Sequence, residues 1–97
     1  MDYHGGFQHA YGMIPGDLDT TNSRREEKKK FAKHFGPYLR KIRESKNISQ
    51  ENLSMNAGYY RTYVNKIETG NYSPSLHTVW RLAYGLGMSL KEFFANF

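Results

Sequence analysis

The sequence reads as an all-α domain of short helices behind a flexible arm. From residue 39 onward apolar residues recur three and four apart, and no alternating stretch competes with them. Ser, Asn, Gly and Pro fall at short intervals between those runs, where they start or stop helices. The 97 residues give room for one small domain.

Residues 1–22 hold four glycines, one proline and scattered aromatics without helical or strand periodicity, which predicts a flexible N-terminal arm. Its Tyr3, Phe7, Tyr11, Met13 and Ile14 are too sparse for a core and could dock on the domain or on a partner. His4 and His9 stand five apart on this arm, without the spacing of a metal site, so no metal is expected there.

From Ser23 the texture changes to the helix formers of Ser-Arg-Arg-Glu-Glu-Lys-Lys-Lys, with a cap at Asn22 or Ser23 and an i,i+4 pair of Glu26 with Lys30. Residues 23–34 therefore form a basic extension, either a short extra helix or a frayed segment. Gly36-Pro37 predicts a break, because proline lacks a donor and restrains the residue before it. The first domain helix then covers about 37–46, with Phe35, Leu39 and Ile42 on one face and Asn47 closing it.

Ser49 caps the next helix, which turns Leu53 and Ala57 inward and ends at Gly58. The third covers about 60–68 and splits by side. Tyr60, Val64 and Ile67 face one way; Arg61, Thr62, Asn65 and Lys66 face the other. Gly70 ends it. Ser73 and Pro74 read as cap and first residue of a fourth helix with Leu76, Val79, Leu82, Ala83 and Leu86. Gly87 stops that helix, and Ser89-Leu90-Lys91-Glu92 is a capping box for a fifth.

Lys and Arg number 14 and Asp and Glu 9, for a net charge of +5. Residues 1–30 carry five basic and five acidic side chains, whereas residues 31–97 carry nine basic and four acidic ones. The excess thus belongs to the predicted domain and points to a polyanionic partner. There is no cysteine, which excludes disulfides and thiolate chemistry. Mean hydropathy is −0.79, and no run of about 18 apolar residues or apolar leader appears. A cytoplasmic location without membrane contact is expected. No nucleophile–base pair or phosphate-cradling loop stands out, so neither enzymatic activity nor a cofactor is expected.

Two short helices meeting at Gly58, the second with a polar outer face, form a helix-turn-helix pattern. Such a second helix can carry hydrogen-bonding side chains into the major groove. The stretch from about Phe35 to Phe94 resembles the Cro/repressor-type, or xenobiotic-response-element, family of transcription regulators. The likeness rests on Leu39-Arg40-Lys41-Ile42-Arg43, Ile48-Ser49-Gln50-Glu51-Asn52-Leu53, Ala57-Gly58, Arg61-Thr62-Tyr63-Val64, Ile67-Glu68-Thr69-Gly70, Pro74-Ser75-Leu76 and Leu86-Gly87-Met88-Ser89 in that order.

The resemblance implies a five-helix lambda-repressor-like DNA-binding domain over residues 35–97. It implies base contacts from Arg61, Thr62, Asn65 and Lys66. Arg61 and Lys66 suit guanine, and Asn65 suits adenine. Gln50, Tyr60, Tyr63, Asn71, Tyr72 and Ser73 fall where the family meets the DNA backbone, and Arg43 and Glu68 where it forms a partly buried ion pair. Tyr60 departs from the Ser or Thr that usually caps the recognition helix, at a cost of about 1 kcal/mol. Tyr84-Gly85 departs from an alanine-rich helix end.

A small core without disulfides favours a homodimer, with Trp80, Phe93, Phe94 and Phe97 as expected interface residues and an inverted-repeat operator as partner. The Arg61-Thr62-Tyr63 run also resembles restriction–modification controller proteins, although Thr69-Gly70-Asn71-Tyr72 departs from them. The alternative function is an antitoxin-like interaction module whose residues 1–22 bind a protein.

Overall fold

The computed structural model describes residues 21–97, so the arm, with its aromatic residues, His4 and His9, lies outside the described residues. Among the described residues five helices follow one another: α1 (Thr21–Ser45), α2 (Gln50–Asn56), α3 (Tyr63–Glu68), α4 (Leu76–Gly85) and α5 (Leu90–Phe93). Among the described residues there is no strand, and no helix is long and apolar enough to cross a membrane.

The expected break at Gly36-Pro37 is absent, and α1 runs through Pro37 as one helix of 25 residues. Packing explains the difference. Ala32, Phe35, Leu39 and Arg43 lie on one stripe and are all buried. An interior proline costs a helix about 3 kcal/mol. Burial of Phe35 and Leu39 returns about 2 kcal/mol each. Pro37 itself is exposed, so water can serve the carbonyl that loses its helical partner. Gly36 has a different role from a breaker. A Cβ there would stand 2.6 Å from the Ile67 carbonyl oxygen and 2.8 Å from that of Glu68. Glycine thus lets the C-terminal end of α3 rest directly on α1.

Local sequence signals set most of the remaining ends. Asn47 turns the chain after α1 with φ 57°. Ser49 Oγ accepts from the Asn52 amide at the start of α2, and Ser89 and Glu92 complete the capping box of α5. The start of α4 differs from expectation. Ser75, not Ser73, is its cap, and its hydroxyl accepts from the Thr78 amide at 3.1 Å. Pro74 is buried just before the helix. The later start puts Leu76 in the first turn, beyond the edge of the core and 67% exposed, while Val79, Leu82, Ala83 and Leu86 are buried as expected.

Phe35, Leu39, Leu53, Val64, Ile67, Leu82 and Phe93 form the fully buried centre. The C-terminal segment closes it on α1. Phe35 lies within 5.8–6.4 Å of Phe93, Phe94 and Phe97, centroid to centroid. The Tyr38 hydroxyl donates to the Phe93 carbonyl. Gly85 sits where a Cβ would be 3.1 Å from Leu53 Cδ1, so the unusual glycine near the end of α4 makes room for α2.

Candidate nucleic-acid interface

α3 is six residues long and begins at Tyr63, three residues later than the sequence predicts. Residues 60–62 form a turn instead. Tyr60 is therefore off the helical lattice and 56% exposed, and Tyr63 takes the inward position beside Val64 and Ile67. Its ring stacks on Tyr59 at 4.4 Å and meets Tyr60 and Tyr72 edge-on.

Thr62 gives α3 no side-chain cap. The missing acceptor comes from α2. The buried Ser54 hydroxyl accepts from the Val64 amide at 2.9 Å and donates to the Gln50 carbonyl at 2.9 Å. Sequence reasoning missed Ser54, because a serine inside a seven-residue helix resembles a surface residue until the neighbouring helix is in place. It also missed Arg81, whose Nε donates to the Ala57 carbonyl at 2.8 Å and secures the turn between α2 and α3.

The inner side of α3 is held by charge as well as packing. Arg43 on α1 meets Glu68 twice, Nε to Oε2 at 2.7 Å and Nη2 to Oε1 at 3.0 Å, and donates from Nη1 to the Ile48 carbonyl at 2.8 Å. The Glu68 side chain is 3% exposed. Hydrogen bonding to this carboxylate raises the Arg43 pKa against the opposing effect of burial. The network continues outward. Gln50 Nε2 donates to Glu68 Oε1 at 2.9 Å, and Asn65 Nδ2 donates to Gln50 Oε1 at 3.2 Å. Gln50, expected on a phosphate, thus also links the buried pair to a residue of the outer face.

Of the four residues expected on one helix, Asn65 and Lys66 stand on that outer face and Arg61 and Thr62 on the turn before it, and all four are exposed. Lys66 Nζ stands 4.5 Å from the centre of the Tyr72 ring, which ties the helix to the loop that follows. Asn71 is exposed, and Tyr72 and Ser73 are half-buried on that loop. Tyr63 differs from these neighbours. It is 6% exposed, its hydroxyl donates to that of Tyr72 at 3.4 Å, and burial first, then that contact, pushes its pKa up to about 12. Its place in the ring cluster makes it a support for the face.

The four aromatics expected at a dimer interface separate. Phe93 is fully buried within the protomer, and Phe94 and Phe97 lie beside it against α1. Trp80 lies on α4, half exposed, stacked on His77 and beside Asn56, Arg81 and Tyr84.

A helix-turn-helix family model matches residues 39–93, more than half of the chain. The chain belongs to the helix-turn-helix family. It is of the Cro/repressor, or xenobiotic-response-element, type. It is similar to the control protein C.MunI of a Mycoplasma species, with 36% identity over 63 residues that make up 64% of this chain and 85% of that protein. It is similar also to the control protein C.BamHI of Bacillus amyloliquefaciens, with 39% identity over 59 residues, 60% of this chain and 73% of that one. Among solved structures it resembles the restriction-modification controller protein C.AhdI from Aeromonas hydrophila. The TM-score is 0.63 and the identity 35%, over 68% of this chain and 96% of the other. This helix-turn-helix chain is a sequence-specific DNA-binding transcription regulator.

Proposed function

We propose that the chain acts as a homodimeric, controller-type regulator that reads an inverted-repeat operator through α3. The observation that carries this reading is the two-sidedness of α3. Val64, Ile67 and the Glu68 carboxylate are held inside, and Asn65 and Lys66 on the helix, with Arg61 and Thr62 on the turn that leads into it, stand outside. Two polar side chains on so firmly seated a helix and two on its entry turn can meet base edges without reorganisation. Gln50, Tyr60, Asn71, Tyr72 and Ser73 flank them and would position the helix on the phosphates. The likeness to control proteins supports the controller role, and the half-buried Phe94 with the exposed Phe97 supports pairing of two copies at the α5 end.

The test is a binding selection from genomic fragments at about 150 mM salt, followed by titration of the best site. The expected product is an inverted repeat with half-sites about 34 Å apart, bound with two chains per site. Arg61→Ala should weaken binding by about 1–3 kcal/mol and relax the preference at one base pair per half-site. Binding by this variant with unchanged strength and preference would remove Arg61 from the reading face. Enrichment of no sequence would remove the operator reading altogether.

A further inference from the structure

The strongest feature outside the reading face is a groove of about 580 Å³ between the N-terminal half of α1 and the loop after α3. One wall carries Arg25, Lys28, Lys29 and Lys33, and the other carries Asn71 and Ser73. The four cations fall at helical spacing along about 12 Å of one side of α1. All four are exposed. Among the described residues, Lys29 alone of the four has a carboxylate within 4.0 Å, that of Glu26. Among the described residues, no acidic one lines the groove. The loop lies against α1, since an added Cβ at Gly70 would be in van der Waals contact with the Lys33 Cα at 3.4 Å.

We infer that this groove grips the phosphate backbone of operator DNA beyond the base-reading half-site, so that the basic part of α1 extends the footprint of each protomer. The inference rests on the reading of α3 as the recognition helix. The favoured occupant is DNA because the groove continues that face without a gap. Lys66 of α3 stands over Tyr72, and Tyr72 lines the groove. A chain of fixed negative charges leaving the α3 site would meet Asn71 and Ser73 first, and then Arg25 and Lys28. Flexible cations along a groove suit phosphate, which demands charge and reach more than a shaped pocket. These cations precede residue 39, where the family match begins, so the added grip belongs to this chain's own extension.

The experiment compares two double variants of the full chain on the selected operator. Arg25→Gln/Lys28→Gln removes two groove cations. Arg24→Gln/Lys30→Gln removes the same charge from residues of the same helix that do not line the groove. The slope of log K against log salt should fall by about 2 per protomer for the groove variant, at about 0.9 per lost phosphate contact, with affinity near 150 mM salt reduced about tenfold or more. The control should lose less than half as much slope. Trimming the duplex to the half-sites should weaken the wild type and the control more than the groove variant, which keeps only Lys29 and Lys33 in the groove. Base preference should stay unchanged in both variants. Equal losses from the two variants would reduce the groove to diffuse charge and overturn the inference, as would no loss, or trimming without effect on the wild type. Failure of the reading of α3 is seen separately, through Arg61→Ala and through the absence of an enriched operator.

Discussion

The two halves of α1 are one continuous helix with different causes of order. From Ala32 to Ser45 the helix has an inner side of Ala32, Phe35, Gly36, Leu39 and Arg43, all buried. From Arg24 to Phe31 every residue is exposed. The packed half survives an interior proline because its apolar stripe and its ion pair hold it. The free half has helix formers and a loose Glu26–Lys29 pair at 4.0 Å, which on an exposed surface contributes well under 1 kcal/mol. An isolated segment of about ten residues would be a marginal helix in water. Joined to a helix already nucleated by the core, it needs only propagation. The packed half therefore spends its side chains on the fold and on seating α3, and the free half keeps its cations available.

The largest expected effect would break the packed half. Glu68→Ala leaves Arg43 buried without its carboxylate and should lower stability by about 3–5 kcal/mol in chemical denaturation. A loss below about 1 kcal/mol would mean that apolar packing alone joins α1 to α3. Gly36→Ala is next. Its Cβ meets main-chain oxygens that cannot rotate away, and a loss of about 3 kcal/mol is expected, with weaker operator binding as α3 is displaced. A thermally unchanged variant would show that α3 can move away from α1 at little cost.

Alkaline titration probes the other side of α3. Tyr63 stays protonated in the folded chain to about pH 12, whereas in the unfolded chain it ionises near pH 10. Its contribution is complete below pH 10 and is lost as pH rises through about 12, which amounts to about 3 kcal/mol. Tyr63→Phe should flatten that part of the pH–stability curve, and a curve of unchanged slope would reassign the effect. The smallest change belongs to the free half. Lys28→Gln/Lys29→Gln should alter stability by no more than about 0.5 kcal/mol, a loss of 2 kcal/mol being enough to show that these residues support the fold.

Much of this was legible in the residues because the signals were local. Ser49 and the Ser89–Glu92 box start helices through hydrogen bonds that span three residues. The resemblance also placed Arg43 opposite Glu68, where the structure has a two-bonded pair. The rest depended on neighbours distant in sequence. Tyr60 and Tyr63 both fit an inward position on a helix of uncertain start, and only the turn at residues 60–62 separates them. Pro37 reads as a stop wherever no core is present to override it. Ser73 and Ser75 are both plausible caps, and the choice follows from where Pro74 is buried.

The amino-acid sequence by itself determined an all-helical chain with a helix-turn-helix, a polar outer face and a basic excess. Periodicity, caps and charge act over a few residues and need no partner. The tertiary structure decided that α1 passes through Pro37, that Ser54 caps α3 from another helix, and that Gln50 joins a buried ion pair to Asn65. It also decided that the cations of the extension line a groove with the loop after α3. Each of these is a contact between segments that only a closed core brings together, and the energy of such contacts outweighs the local preferences that a sequence displays.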